Sequence, residues 1–490
     1  MVSGASWLNS TGGGVGVKVG MGVFVAASVA PGTGGAMREA VTVAVEEGVG
    51  AAQAVSRTSK RKIKGVCFMG GLLSWRIILR EYPGSIIRLM FKNRNLAILF
   101  FTLVVVMLGF GMIIPILPFL VEEFGGNGLA MGLLMAIFSL MQFLFSPIWG
   151  GLSDRFGRKP ILLLGALGNG LTMIGFGLAT NLWTLYLFRA LGGILSSATM
   201  PTAMAFIGDS TEEHERGGGM GIVGAAMGVG MVLGPGIGGM LGGKSFHIPF
   251  FLAAGLSILA ALFIWFLLPE SLPIGKREAT HSALRGPQLG VMWSALFGPL
   301  GFLLVLAFLH NFALTNFEGI FAYYAEARYG YNAQTIGIIL TVVGLTSAVV
   351  QGVLTGVATR KWGDTAVTKA SLFASIFGFL LMLTARDLPT VILTTSLFIL
   401  SNAMLRPSVS SLISKRAASG QGQAMGLNNA YMSLGRVVGP LWAGNALDLN
   451  LNFPFITGSV IMLIGFVASL FLLPRSQPEK PAPLETQSAD

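Results

Sequence analysis

Few ionisable side chains in this 490-residue chain fall inside its long apolar runs, and those few are where chemistry is expected. Arg189, Arg406 and Arg436 are the bases, and Glu318 is the one acid well inside such a run. A charge in an apolar medium is costly and is usually functional or paired. An acid that exchanges a base partner between two states changes its hold on a proton. Glu318, with Arg189 or Arg436 as alternate partners, is therefore the candidate proton-coupling set. Helix rise puts Arg189 and Glu318 each about 10 Å in from the same end of their runs. The competing reading of Glu318 is a structural ion pair or a residue at the wet mouth of a cavity. Gln142, Asn316, Gln351, Asn402, Asn428 and Asn429 are further polar candidates, unranked. Metal chemistry has little to stand on, since His214, His247, His281 and His310 are scattered and Cys67 is the single cysteine.

A second cluster lies between two apolar runs. The stretch Gly150-Gly-Leu-Ser-Asp154-Arg155-Phe-Gly157-Arg158-Lys159-Pro-Ile-Leu162 packs one acid, three bases and three glycines together. It reads as the short charged turn of a two-helix hairpin, with Gly157 allowing a left-handed backbone. Asp154 is placed to meet a base or the positive end of a neighbouring helix.

The elements that must position these residues are membrane helices. Hydrophobic residues make up 53% of the chain and charged residues 11%, against about 25% charged in soluble domains. Mean hydropathy is +0.73. The net charge of +11 invites a nucleic-acid reading, but the bases fall in short loops between apolar runs, as membrane orientation requires. Twelve runs of spanning length are expected, at about 95–121, 129–150, 160–180, 182–208, 217–242, 247–269, 298–324, 332–357, 366–386, 389–412, 421–446 and 453–474. The domain reading is an N-terminal extension at 1–91, a six-helix bundle at 92–270, a cytoplasmic linker at 271–297, a second bundle at 298–474 and a tail at 475–490. The extension carries a basic cluster, Arg57, Lys60, Arg61, Lys62 and Lys64, and shows no sustained apolar period. It reads as disordered or as a start assigned too far upstream, with Met90 a natural beginning. A cleaved targeting segment and a partner-binding tail are the alternatives. From Lys92 onward, the side of the Gly150 stretch collects sixteen Lys and Arg, and the other side three (Lys244, Arg328 and Arg386). Both termini are thus expected in the cytosol.

The two bundles repeat one another. Gly150 and Gly157 recur as Gly356 and Gly363, and Pro201 as Pro407, at an offset of 206. Gly221, Gly230, Gly234 and Pro235 recur as Gly426, Gly435, Gly439 and Pro440, at an offset of 205. An even number of helices separates the copies, so the halves are parallel about an axis along the membrane normal. The fifth run carries Gly221, Gly230, Gly234, Pro235, Gly238 and Gly239, glycines that let helix backbones approach closely around a proline bend. Generic Gly-rich packing is the plain alternative. Two nucleotide-loop patterns also match here, Gly238-x4-Gly243-Lys244-Ser245 and Gly234-Pro-Gly-Ile-Gly238-Gly239, but neither follows a strand, so neither is taken as a phosphate site.

The Gly150 stretch resembles the signature between the second and third helices of the major facilitator superfamily. The fifth-run glycines are similar to the antiporter motif of its proton-coupled drug exporters. Arg189-Ala-Leu-Gly192 resembles the superfamily's fourth-helix pattern, and Pro115-Ile-Leu-Pro118 the exporters' double proline. The first helix lacks the acid found in many cation exporters. The resemblance implies an all-α integral membrane fold of twelve helices in two six-helix bundles around a central cavity. It implies a non-enzymatic transporter of the cell (inner) membrane, acting as a monomer in the lipid bilayer on small molecules and protons. A proton gradient would drive it, with no cofactor and no nucleic acid. It also implies a conformational latch built from Gly150, Asp154, Arg155, Gly157, Arg158 and Lys159, with Asp154 reaching Arg158 and the helix start near Gln421. Export of amphipathic compounds is the first expectation. Import of a sugar or organic acid is the second, and a non-transporting receptor or scaffold the third.

Overall fold

The computed structural model describes residues 14–19, 23–28, 94–211, 216–277, 289–417 and 421–473. The basic cluster at 57–64, Met90, the middle of the expected linker and the tail at 475–490 lie outside the described residues. Within the extension, β1 (Gly14–Val19) and β2 (Val23–Ser28) pair antiparallel, Gly14 opposite Ser28 and Val19 opposite Val23. The Gly-Val alternation of β1 has the period of a strand, a signal the composition-based reading of this segment passed over.

The rest is helical. In the first half, α1 (Arg94–Ile113), α2 (Leu117–Glu123), α3 (Gly128–Phe156) and α4 (Arg158–Gly177) are followed by α5 (Leu182–Ser196), α6 (Thr199–Ser210), α7 (Arg216–Gly242) and α8 (Ile248–Leu267). After α9 (Leu289–Leu296), the second half holds α10 (Gly301–Tyr329), α11 (Ala333–Val349), a π-helical turn at Val350–Leu354, and α12 (Thr355–Trp362). It continues with α13 (Asp364–Met382), α14 (Leu388–Asn402), α15 (Leu405–Arg416), α16 (Gln421–Leu449) and α17 (Phe453–Leu472). Eleven rods among the described residues are long and apolar enough to cross a membrane, with α5–α6, α11–α12 and α14–α15 each counting as one. The 29-residue α16 has spanning length but is less apolar, because it carries Asn428, Asn429, Arg436, Asn445 and Asp448. It packs along α10 and α3, while Val438, Trp442 and Leu449 stay exposed.

Large apolar side chains cover the outside. Leu171, Trp265, Phe266, Ile464 and Phe471 are all exposed, as expected of a surface that meets lipid. Every backbone group in such a span has to be satisfied within its own helix.

Three expectations are corrected. The first expected helix breaks into α1 and α2 around a turn at 114–116, where Pro115 and Pro118 each remove a backbone donor. The seventh extends to Tyr329, five residues further, and stops where Gly330 takes φ +67 and returns its N–H to the Glu326 carbonyl. The Gly150 stretch is not a loop. Helix α3 runs through Phe156, α4 begins at Arg158, and Gly157 alone makes the connection at φ +103. Gly363 does the same between α12 and α13 at φ +80.

The repeat extends to contacts. Gly230 and Gly234 of α7 press against Met107, Leu108 and Gly111 of α1, and Gly435 and Gly439 of α16 press against Phe308, Phe312 and Thr315 of α10. Side-chain caps repeat as well. Asn181 with Thr184 opens α5, and Asp387 with Thr390 opens α14, both as reciprocal capping boxes. Thr390 holds the Asp387 carboxyl below the usual range by hydrogen-bonding its charged form.

Candidate functional site

The halves meet at the end away from Gly157 and Gly363, here called the far end, through glycines set against carbonyls. Side chains on Gly132 or Gly444 would collide with the Pro440 and Gly128 carbonyls, and side chains on Gly337 or Gly239 with those of Pro235 and Ala333. The two crossings, α3 on α16 and α7 on α11, are copies at an offset of 205. One polar contact is not duplicated. The Asp448 carboxylate of α16 accepts hydrogen bonds from the backbone of Gly128 (2.8 Å) and Leu129 (2.9 Å), capping α3 across the interface. At the opposite, turn end, Gly224 and Gly228 of α7 and Gly422 and Gly426 of α16 border open space. The described molecule is therefore closed at the far end and open at the turn end.

Two parts of the glycine motif on α7 do different work. Gly230, Gly234 and Gly238 face α1 within the half, whereas Gly236 and Gly239 face α11 of the other half, and Pro235 sets its ring against Gly111 of α1 and its carbonyl against Gly337 of α11. Gly221, near the turn end of α7, is half-buried and precedes the buried Ile222 and Val223.

Arg158 is the hub of the turn-end charges. It pairs with Asp154 (2.6 Å) and Asp209 (3.0 Å) and donates to Ser153 Oγ (2.6 Å). Glu270 caps α4 by accepting from the backbone of Arg158 (2.8 Å) and Lys159 (3.3 Å). Arg155 instead lies over the Phe156 ring. Of the two partners expected for Asp154, the structure brings it to Arg158 and not to the start of α16, because the halves are apart at this end. Asp209 and Glu270 went unnoticed in the sequence. The second half repeats the pair with the signs exchanged. Asp364 stands at the Arg158 position and Lys415 at the Asp209 position, offset 206, at 3.1 Å, with Ser411 donating to Asp364.

Arg189 is buried in the first half. It donates to the Leu134 carbonyl (3.2 Å), and its guanidinium lies 4.6 Å from the Phe138 ring centre, with Phe110 and Phe176 further off. No carboxylate forms an ion pair with it among the described residues. It is not brought to Glu318, which sits deeper than expected because α10 is longer, about 16 Å from the Tyr329 end.

Glu318 instead faces Arg436. Thr315 Oγ1 donates to the Gly435 carbonyl (3.2 Å), and one turn later Gly319 lies against Pro440, so Glu318 stands alongside α16 between these contacts. The two charges interact without forming an ion pair. Arg436 donates to Ser433 (2.8 Å) and is solvent-exposed near the middle of α16. Arg406, in the first turn of α15, is exposed as well, and it interacts with both Arg436 and the buried His310. An arginine exposed at mid-depth faces water rather than lipid, so both line the opening between the halves. Nearby polar groups are incompletely satisfied. Asn402 is fully buried with neither amide atom partnered, and the Oδ1 of Asn428 and Nδ1 of His310 lack partners. Asn428 Nδ2 donates to Ser410 (3.1 Å) and Asn316 to the Pro454 carbonyl (2.9 Å), while Gln351 bonds only Ser347 on the exposed π-turn. Gln142 is half-buried and Asn429 exposed.

This cluster is confined to one half. At offsets of 204 to 206, the first half has Val106 for His310, Ile114 for Glu318, Met200 for Arg406, Val223 for Asn428 and Met231 for Arg436. That contrast was available in the sequence, once the repeat was applied residue by residue.

Comparison with known proteins agrees with this architecture. A family model for the major facilitator superfamily matches residues 99–440 and again 303–489. Multidrug resistance protein 1 of Bacillus subtilis (strain 168) is 33% identical over 380 residues, 77% of this chain and 96% of that protein. Quinolone resistance protein NorA of Staphylococcus aureus (strain COL) is 30% identical over 382 residues, again 77% and 96%. The crystal structure of the human organic anion transporter MFSD10 (TETRAN) superposes with a TM-score of 0.56 at 25% identity, covering 77% of this chain and 99% of that one. With its two repeated all-helical bundles meeting at glycine-lined faces, the chain belongs to the major facilitator superfamily of multi-pass membrane transporters.

Proposed function

We propose that the protein exports small amphipathic, drug-like compounds across the cell membrane as a monomer, driven by protons. The names of its Bacillus and Staphylococcus relatives support the substrate class. The bias of sixteen Lys and Arg to three supports placing the turn end and both termini in the cytosol. The described state is then inward-open, ready to take substrate from the cytosol. The observation that carries the proton reading is Glu318 at mid-depth beside Arg436, with water reaching their surroundings.

The cycle follows from these contacts. Substrate in the cavity displaces the proton from Glu318, and Arg436 then holds the freed carboxylate. Closure at the turn end brings the start of α16 to the end of α3. There Asp154 leaves Arg158 for the α16 N-terminus, with Gly150 and Gly157 allowing close approach and Arg155, Arg158 and Lys159 holding the surrounding charge. At the far end, the glycine faces and the Asp448 cap separate. Substrate leaves, and an external proton resets Glu318. Arg189 keeps α3 and α5 together in the half that carries no acid at this depth.

Everted vesicles test this. An imposed proton gradient should drive accumulation of a fluorescent amphipathic drug. The Glu318→Gln variant should lose accumulation yet keep substrate exchange at equal pH. A well-folded Glu318→Gln that accumulates at the parent rate would place the proton elsewhere.

A further inference from the structure

At the far end two acids meet across the closed interface. Glu122 lies in the last turn of α2 in the first half, and Glu326 in the last turn of α10 in the second. They are 204 residues apart, the offset that also relates Val106 to His310 and Ile114 to Glu318, so they are equivalent positions of the two copies. A residue beside the axis that relates two copies meets its own counterpart. Here the two carboxyl groups are in hydrogen-bonding contact, and both line a cavity shared with Glu123, Lys244 and His247. No base forms an ion pair with either of them among the described residues. The other charged neighbours do not offset the pair. Glu123 and Asp448 are themselves acids, and Lys244 is exposed. His247 donates from Nδ1 to the Gly177 carbonyl (2.8 Å), while Arg328 turns to Asn452 (3.0 Å) and the Leu383 carbonyl (3.2 Å). Tyr323 adds a hydroxyl beside Glu122. Glu326 Oε2 is buried without a hydrogen-bond partner, whereas Glu122 is exposed. Ionised carboxylates are acceptors only, so a hydrogen bond between two of them requires a proton.

We propose that Glu122 and Glu326 share one proton, and that this proton locks the far end closed. With it, the O–H of one carboxyl donates to the carboxylate of the other. Without it, two like charges face each other across the interface, and separation of the halves relieves them. The closed state therefore binds the proton and the open state releases it, so closure strengthens as pH falls and weakens as pH rises. Glu318 lies about 12 Å deeper on the same helix, so the lock is separate from it. In the orientation proposed above, the lock takes its proton from the medium, and acid outside shuts the far end whatever the cavity holds.

Double electron–electron resonance on the purified full-length protein tests this. Cys67→Ser removes the native thiol, and Thr180→Cys and Thr384→Cys carry spin labels at exposed far-end positions of opposite halves. Neither substrate nor a proton gradient is needed, so the result does not depend on the export reading. The measurement is made in Glu318→Gln, which silences the deeper acid. As pH falls from about 8 to about 5, the ratio of far-end-closed to far-end-open molecules should rise by up to about tenfold per pH unit, the limit for one proton. Glu122→Gln and Glu326→Gln should each stay closed and lose this pH step, because an amide N–H donates where the proton did. Glu122→Lys should hold the far end closed at high pH through a pair with Glu326. A step that survives both glutamine variants, is missing from the Glu318→Gln parent or runs in the opposite direction would overturn the proposal. A step lost in His247→Gln but kept in Glu326→Gln would assign the proton to His247 and overturn it as well. If the step appears while everted vesicles show no proton-driven export, the lock stands and the export reading falls; the reverse result sinks the lock alone.

Discussion

The two halves of this protein share a scaffold and differ in chemistry. The one-residue turns at Gly157 and Gly363, the capping boxes at Asn181 and Asp387, and the glycine faces of α7 and α16 are copies. Glu318, Arg406, Arg436 and His310 are not, because Ile114, Met200, Met231 and Val106 stand in their places. Duplicated parts make the halves move as matching bodies. Unduplicated parts confine the charged cluster to one body, where the proposed function puts the proton contacts, and leave apolar side chains at the same positions in the other. Even the shared ion pair at the turn end has exchanged signs, Arg158–Asp209 against Asp364–Lys415. What the fold needs there is a pair, not a particular polarity.

The sharpest way to break this picture is to give one copied face a side chain. Gly132→Leu puts a branched group where the Pro440 carbonyl lies, and overpacking of this kind costs about 1–3 kcal/mol. Far-end closure should be lost and transport should fall to near background. Cysteines introduced on either side of the interface should show the far end open by alkylation. Gly337→Leu, its counterpart, should behave alike; if only one of the two matters, the copies are not equivalent.

The next largest effect concerns the half without acids. Arg189→Lys keeps the charge but loses the planar contacts with Phe138 and its neighbours and the reach to the Leu134 carbonyl. Stability should fall by about 1–2 kcal/mol, read as a lower melting temperature. The ratio of gradient-driven uptake to equal-pH exchange should stay at the parent value. A changed ratio would put Arg189 in the proton path and erase the contrast between the halves.

Asp448→Asn removes a charged contact across the far end. Capping of a helix N-terminus by a carboxylate contributes about 0.3–1 kcal/mol, so the far-end-open population should rise by a few-fold. Asp154→Asn at the turn end should move the population the other way, since its charge is expected to serve the opposite closed state. Double electron–electron resonance between spin labels on α3 and α16 separates the two shifts; movement in the same direction would refute the assignment of one latch to each end. Smallest of all, Asn181→Ala should cost about 1 kcal/mol through loss of the α5 cap, with transport unchanged in folded protein.

Much of this was legible in the chain. Apolar runs between charged turns located the helices, because a span leaves no other way to satisfy its backbone. The repeat of Gly157 as Gly363 and of Pro235 as Pro440 located the pseudo-symmetry. Hydropathy hid the break at Pro115 and Pro118, since both fragments are apolar. It also hid the last turn of α10, whose Glu326 and Arg328 read as loop. Asp154 drew attention through its neighbours in sequence, whereas Asp209 and Glu270 reach Arg158 from 51 and 112 residues away. Arg189 was expected to seek an acid because charges in spans are usually paired. The ring faces of three phenylalanines and a carbonyl surround it instead, and ring faces have no spacing rule to betray them.

One consequence concerns the solutions on either side of the membrane. Far-end closure is largely backbone against backbone at Gly132, Gly239 and Gly337, with the Asp448 cap on Gly128 and the Glu122–Glu326 contact as its charged points. The turn-end ion pairs, Arg158–Asp209 and Asp364–Lys415, lie each within one half and join a buried residue to a more exposed one, and their attraction weakens as the Debye length shortens from about 10 Å at 0.1 M salt. In the orientation proposed above, ionic strength in the cytosol acts on these pairs within each half. In the same orientation, salt in the medium reaches the far-end seal through Asp448 and the Glu122–Glu326 contact.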